Sequence, residues 1–227
     1  MKTVGIVGGT TWYSTLDLYR YINELVQKEQ GDSSCAKMAL INVNLQDILN
    51  EPIFQKKGHI VAEAAKAAER AGADFVTICS NGLHAFAPYV EQELHVPLLH
   101  IVDSMADYLS AQGISKVGLM GVKETTEMGF YPERMREKGI EVLIPEQEDR
   151  DFMDHVIFDE VAKGRIEQAS CREFYAIAER LMQRGAAGVI MGCTEIGELM
   201  HQEETEIPLY DSTMVHAKAI VKACISK

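Results

Sequence analysis

The sequence has no long hydrophobic run. Within its 227 residues no stretch could span a bilayer, and the N-terminal MKTVGIVGGTTWYST carries one lysine and then only a short strand-like apolar segment. With no cleavable signal following, we expect a cytoplasmic protein rather than a membrane or secreted one. Positive charge is in deficit: 22 Lys and Arg face 34 Asp and Glu, for a net charge of −12. That balance disfavours nucleic acid and anionic membrane as partners, while a local cluster of donors can still hold an anionic substrate. Cysteine is scarce and oddly numbered. Cys35, Cys79, Cys171, Cys193 and Cys224 show no close metal-type spacing, so neither structural disulfides nor a metal site is expected. The glycine run GIVGGT lacks the spacing of a dinucleotide loop, which argues against a nicotinamide or flavin cofactor. No low-complexity segment occurs.

What the sequence does contain is a repeat. Val4-Gly5-Ile6-Val7-Gly8-Gly9 matches Val117-Gly118-Leu119-Met120-Gly121-Val122, and the segment from Gly72 to Asn81 matches that from Gly185 to Thr194, both at an offset of 113 residues. One offset shared by two separate segments points to duplication. Each half ends an apolar run on a small nucleophilic residue, Ser80 in the first and Cys193 in the second.

Short β-branched runs alternate with helical patterns throughout. Strands are expected over 3–7, 37–43, 75–79, 98–101, 116–121, 141–144, 188–192 and 208–210. Helices are expected over 14–29, 60–71, 85–93, 103–111, 130–138, 151–162, 167–184 and 215–225. Regular alternation of this kind implies an α/β fold: two pseudo-symmetric, doubly wound lobes, each a parallel sheet of about four strands between helices. The lobes divide as 1–105 and 106–227, with the C-terminal helix, 212–227, free to pack back on the first. The active site is expected in the cleft between them.

In a parallel sheet, ligands sit beyond the carboxyl ends of the strands. Four segments fall there: Gly8-Gly9-Thr10-Thr11, Asn42-Val43-Asn44, Ser80-Asn81-Gly82-Leu83-His84 and Gly192-Cys193-Thr194-Glu195. Each leads into a helix start, where free N–H groups and the helix dipole favour an anion. A thiol placed there, as Cys193 is, is expected to have a lowered pKa and more thiolate. Cys35, Cys171 and Cys224 lie in a linker or on helices and read as packing or solvent-facing residues.

These segments resemble the cofactor-independent Asp/Glu/hydantoin racemase superfamily, and within it the aspartate/glutamate racemase branch. The likeness is carried by Gly8-Gly9 with Trp12-Tyr13-Ser14-Thr15, by the Ser80–His84 segment and by Gly192-Cys193-Thr194-Glu195-Ile196-Gly197. It extends to Phe130-Tyr131, Ile144-Pro145, Tyr210-Asp211-Ser212 and His216-Ala217, so it spans essentially the whole chain. The resemblance implies an isomerase that uses neither pyridoxal phosphate nor metal. Two facing cysteines move a proton on and off Cα, and backbone amides hold the α-carboxylate and the developing enolate-like charge. It also implies a small acidic amino acid as substrate and a homodimer. Cys193 and Ser80 are then the catalytic pair. Gly9, Thr10, Gln46, Asn81, Gly82, Lys163, Thr194 and Glu195 form the substrate-binding set, with Lys163 placed, 30 residues before Cys193, where aspartate racemases put a lysine for the side-chain carboxylate.

The chain departs from this family at two places, the Ser80 segment and Gln46. The family writes Cys-Asn-Thr-x-His where this sequence has Ser80-Asn81-Gly82-Leu83-His84, so Ser80 occupies the cysteine position and Cys79 sits one residue early, expected to face away. A hydroxyl is a far weaker base than a thiolate unless another base activates it. His84 is one candidate activator, and a histidine bonded to backbone is the competing reading. Gln46, 34 residues before Ser80, stands where the family has an arginine. Lys56, Lys57 and Arg165 are possible compensating cations. Strongly one-sided racemisation follows as the leading expectation. A single-cysteine decarboxylase or isomerase of a small dicarboxylate, or a non-catalytic amino-acid-binding protein, are the alternatives. Incubation with amino acids in heavy water separates the three.

Overall fold

The computed structural model describes residues 1–31 and 33–226, and its chain divides into two compact units. The first comprises Met1–Ser104 together with the segment from Thr213 onward; the second is Met105–Ser212.

In the first unit the elements are β1 (Thr3–Gly8), α1 (Trp12–Gln30), β2 (Lys37–Asn42), α2 (Leu45–Asn50), α3 (Phe54–Arg70), β3 (Phe75–Ile78), α4 (Ala87–Glu93) and β4 (Leu98–Leu99). They are followed by α5 (Ile101–Ser110), within which the division falls. The sheet is wholly parallel with order β2-β1-β3-β4. Its central strands are apolar on both faces because helices cover both. Val4, Ile6 and Phe75 pack with Leu18 and Ile22 of α1 and with Ala217 and Ile220 of the C-terminal helix. Val7, Val76 and Ile78 pack on the opposite side with Val61, Ala65 and Ala68 of α3. Val4, Ile6 and Val7 thus divide between the faces as strand alternation requires.

The second unit carries β5 (Lys116–Met120), α6 (Lys123–Glu127), α7 (Phe130–Glu137), β6 (Glu141–Leu143), α8 (Gln147–His155), α9 (Gln168–Gln183), β7 (Val189–Met191) and β8 (Leu209–Asp211). Its parallel order, β6-β5-β7-β8, reproduces that of the first unit. Met120 and Val189 pack there against Phe174, Ile177 and Leu181 of α9 and Met153 of α8. The last helix, α10 (Ser212–Ile225), buries Ala217, Ile220, Val221 and Cys224 in the core of the first unit.

All eight expected strands are present, although the one expected over 98–101 is cut to Leu98–Leu99 because α5 begins at Ile101; the larger differences lie in the helices. α3 begins at Phe54, six residues before the expected start, because Gly58 does not interrupt it. A Cβ at Gly58 would lie 2.5 Å from the Tyr89 ring, so the glycine lets that aromatic sit directly on the helix backbone. α2 was not anticipated, although Asn44 caps it by accepting from the Gln46 amide at 3.2 Å. The helix expected over 151–162 is α8 followed by a π-helical turn, Val156–Glu160, and a 3₁₀ turn, Val161–Lys163. Among the described residues no helix is long and apolar enough to cross a membrane.

Candidate functional site

The strand tips of the first unit bring the N-terminal glycines beside the Ser80 segment. The Val43 amide donates to Gly8 O and the Cys79 amide to Val7 O, both at 2.8 Å. Gly9 has φ +93°, and a Cβ there would fall 2.2 Å from Val43 O, so only glycine fits this turn. Its amide donates to Thr15 Oγ1 at 2.9 Å, which commits that donor within the protein. The next hydroxyl, Thr10 Oγ1, is buried and has no hydrogen-bond partner among the described residues.

Ser80 is half-buried and precedes a 3₁₀ turn, Gly82–Phe86, rather than an α-helix; Asn81 is buried at its head. His84 on that turn is 1% exposed, and both its ring nitrogens serve backbone groups. Nε2 accepts from the Ile101 amide at 3.2 Å, so the proton lies on Nδ1, which donates to Ser80 O at 2.9 Å. The imidazole therefore holds the Ser80 backbone and does not bond to the Ser80 hydroxyl. Behind it, His216 is fully buried, with Nε2 against Thr77 Oγ1 at 2.5 Å and Nδ1 against Ser104 Oγ at 2.9 Å. Thr77 spends its own proton on Leu99 O, so His216 donates from Nε2. Burial, reinforced by nearby His84, holds the His216 pKa well below its ordinary value.

Cys79, one residue before Ser80, lies in the core with Leu18, Ile22 and Ala217. Its thiol donates to Ser14 O at 3.2 Å, and burial pushes its pKa up to about 12. Gln46 is exposed on α2 and donates to Asn50 Oδ1 at 2.9 Å.

In the second unit Cys193 is half-buried in extended conformation, ahead of a five-residue 3₁₀ turn, Thr194–Glu198. Its Sγ donates to Glu195 Oε2 at 2.8 Å, and Thr194 Oγ1 donates to the same oxygen at 2.9 Å. The expected lowering of the thiol pKa is overturned. Desolvation raises it first, and the Glu195 carboxylate raises it further by stabilising the protonated form. A single 3₁₀ turn has too few aligned peptides to oppose both effects. The 3₁₀ turn ending in Lys163 packs against the 194–198 turn, and Val161 and Cys193 share one apolar cluster. Lys163 itself is exposed, and its Nζ lies 2.6 Å from Asp159 Oδ1. A separate surface cavity of about 250 Å³, lined by residues such as Pro145, Asp149, Ile177 and Arg180, contains none of the candidate catalytic or substrate-binding residues.

Three residues escaped sequence reasoning in their present roles. Thr15 anchors the Gly9 amide, and Asp159 holds Lys163. Glu195, expected to contact substrate, is the hydrogen-bond partner of Cys193. Only Asp159 carried a local signal, the four-residue spacing to Lys163 that pairs charges on one helix face.

Comparison with known proteins bears on what these two sets of residues do. The family model for Asp/Glu/hydantoin racemases matches residues 7–220. A Yersinia pestis crystal structure provisionally described as an Asp/Glu racemase is 35% identical, with all of each chain covered and a TM-score of 0.94. An aspartate racemase homologue from Pyrococcus horikoshii OT3 is 30% identical, again over all of each chain, with a TM-score of 0.88. The broad specificity amino-acid racemase RacX of Bacillus subtilis (strain 168) is 22% identical over 98% of each chain.

Proposed function

The chain belongs to the Asp/Glu/hydantoin racemase family, and from that premise we propose that it is a cofactor-independent racemase of aspartate or glutamate, strongly one-sided in its proton transfer. In this reading Cys193 serves one face of the substrate Cα and Ser80 the other. The observation that carries the asymmetry is the contrast between the two residues' partners. Cys193 has a carboxylate, Glu195, within 2.8 Å of its sulfur, whereas the imidazole nearest Ser80 is bonded to backbone.

The chemistry follows from protonation. Cys193 rests as a thiol and becomes a base by passing its proton to Glu195. The thiolate then takes the Cα proton, and the electron pair left on Cα spreads into the α-carboxylate. Thr10, Asn81, Gly82 and Thr194 hold that carboxylate. Lys163, with Gln46, meets the side-chain end. Ser80 returns a proton to the opposite face through water, because an unassisted hydroxyl that gave its own proton would be left as an alkoxide. The reverse direction asks that hydroxyl to act as a base, and each factor of ten in rate it loses is about 1.4 kcal/mol of barrier. The reading carries with it a cytoplasmic homodimer.

The two enantiomers are equally stable in water, so kcat/KM must match for both. One-sidedness appears instead as a lower kcat and KM for one enantiomer, or as α-proton exchange that outruns inversion. The test is deuterium uptake from heavy water, followed by NMR beside chiral chromatography, for L- and D-aspartate and glutamate. Exchange should outpace inversion in the native protein, Ser80→Cys should bring them closer, and Cys193→Ala should abolish both. Equal kcat and KM for both enantiomers, or loss of activity in Cys79→Ala with none of these effects in Ser80→Cys, would refute it.

A further inference from the structure

Three basic side chains in the second unit converge on one acidic residue. Asp159 lies on the π-helical turn Val156–Glu160, and its Oδ1 accepts from Lys163 Nζ at 2.6 Å. Its Oδ2 lies 3.1 Å from His155 Nδ1, and its backbone carbonyl accepts from Arg165 NH2 at 2.6 Å. The pair is not buried: the side chains of Lys163 and Asp159 are 57% and 50% exposed. It holds no apolar core together, and the turn that carries Lys163 packs directly on the turn that follows Cys193. A carboxylate seated on the one lysine assigned to the substrate's carboxylate has the chemistry of that substrate group. A dicarboxylic amino acid that meets Lys163 shares its ammonium with Asp159, whose negative charge then lies beside the incoming carboxylate.

We propose that Asp159 is a specificity-determining residue, an internal carboxylate that competes with the substrate's side-chain carboxylate for Lys163. This rests on the reading of Lys163 as a substrate ligand. The competition is mild by design, because an exposed ion pair contributes little. It taxes every dicarboxylate equally and leaves substrates without a second carboxylate untaxed, so it narrows the advantage that Lys163 confers on acidic substrates. The pair also lies outside the Cys193–Glu195 contact, so the competition acts on KM and not on the proton-transfer step.

The test is a double-mutant cycle on the full chain, with kcat and KM for α-proton exchange of L-aspartate and L-glutamate measured for the native protein, Asp159→Asn, Lys163→Met and the double variant. Both side chains are exposed, so folding is expected to survive and is checked by circular dichroism. Asp159→Asn should lower KM by roughly two- to fivefold, the range of an exposed ion pair, with kcat little changed. That drop should vanish in the Lys163→Met background. An unchanged KM in Asp159→Asn, alongside a raised KM in Lys163→Met, would overturn the competition while leaving Lys163 as the ligand. An equal drop in both backgrounds would also overturn it, since relief of general negative charge would then be the cause. A native KM in Lys163→Met would remove Lys163 from the site and the proposal with it. Absence of exchange in the native protein would defeat the functional reading itself.

Discussion

Replacing His84 with leucine separates a scaffolding histidine from a catalytic one. The ring is 1% exposed and satisfies two backbone groups, Ser80 O at 2.9 Å and the Ile101 amide at 3.2 Å. Leucine fills similar space but leaves both groups buried and unpaired, at about 1–3 kcal/mol each, or about 2–6 kcal/mol together. For a chain of this length, about 2–4 °C of Tm is lost per kcal/mol, so His84→Leu should melt lower by about 4–24 °C. Thermal and urea denaturation followed by circular dichroism measure this, with deuterium exchange at the substrate Cα run in parallel. A general base for Ser80 behaves differently: its removal lowers exchange at little cost in stability. A His84→Leu protein with native Tm and greatly reduced exchange would therefore refute the scaffold assignment and restore the histidine as the partner of the Ser80 hydroxyl.

Two further outcomes follow from the ionisable groups. Glu195→Gln removes the acceptor of the Cys193 proton during turnover, so α-proton exchange should fall. It also removes a charge that opposes net ionisation of the thiol, so alkylation of the Cys193 peptide by iodoacetamide at mildly alkaline pH should quicken, although burial still holds the thiol above a free cysteine. Mass spectrometry of that peptide is the readout because Cys35 is exposed, and an unchanged rate would show that the carboxylate does not act on the thiol. His216 makes the fold sensitive to acid. Above its ordinary value of 6.5 neither state takes up the extra proton and the group adds no pH dependence. Below about that pH the unfolded chain binds a proton that the buried ring refuses, so stability falls by up to about 1.4 kcal/mol per pH unit. Urea titrations between neutral and mildly acidic pH should show this slope, and a His216→Asn protein that keeps the full slope would place its origin elsewhere.

The order of elements was legible in the sequence because burial on both faces of a parallel sheet writes each strand as a near-continuous apolar run. Helices written at 3.6-residue periodicity separate those runs, and the 113-residue offset exposes the doubling seen in the two matching strand orders. The same offset aligns Ser80 with Cys193 as repeat-equivalent residues, and the motifs around them were enough to identify the family. The state of these residues was not legible. A helix start was expected at Cys193, and its dipole implied an acidic thiol. Tertiary structure instead supplies a short 3₁₀ turn that folds Glu195 back onto the sulfur, so that partial burial and the carboxylate both raise the thiol pKa. His84 left two readings open from sequence, and the choice fell to Ile101, seventeen residues away, whose amide occupies the second ring nitrogen. Hydrophobic periodicity is a local property that sequence displays directly. Protonation, hydrogen-bond direction and competition for a cation depend on which groups the packed chain brings within about 3 Å of each other, and the fold alone decides that.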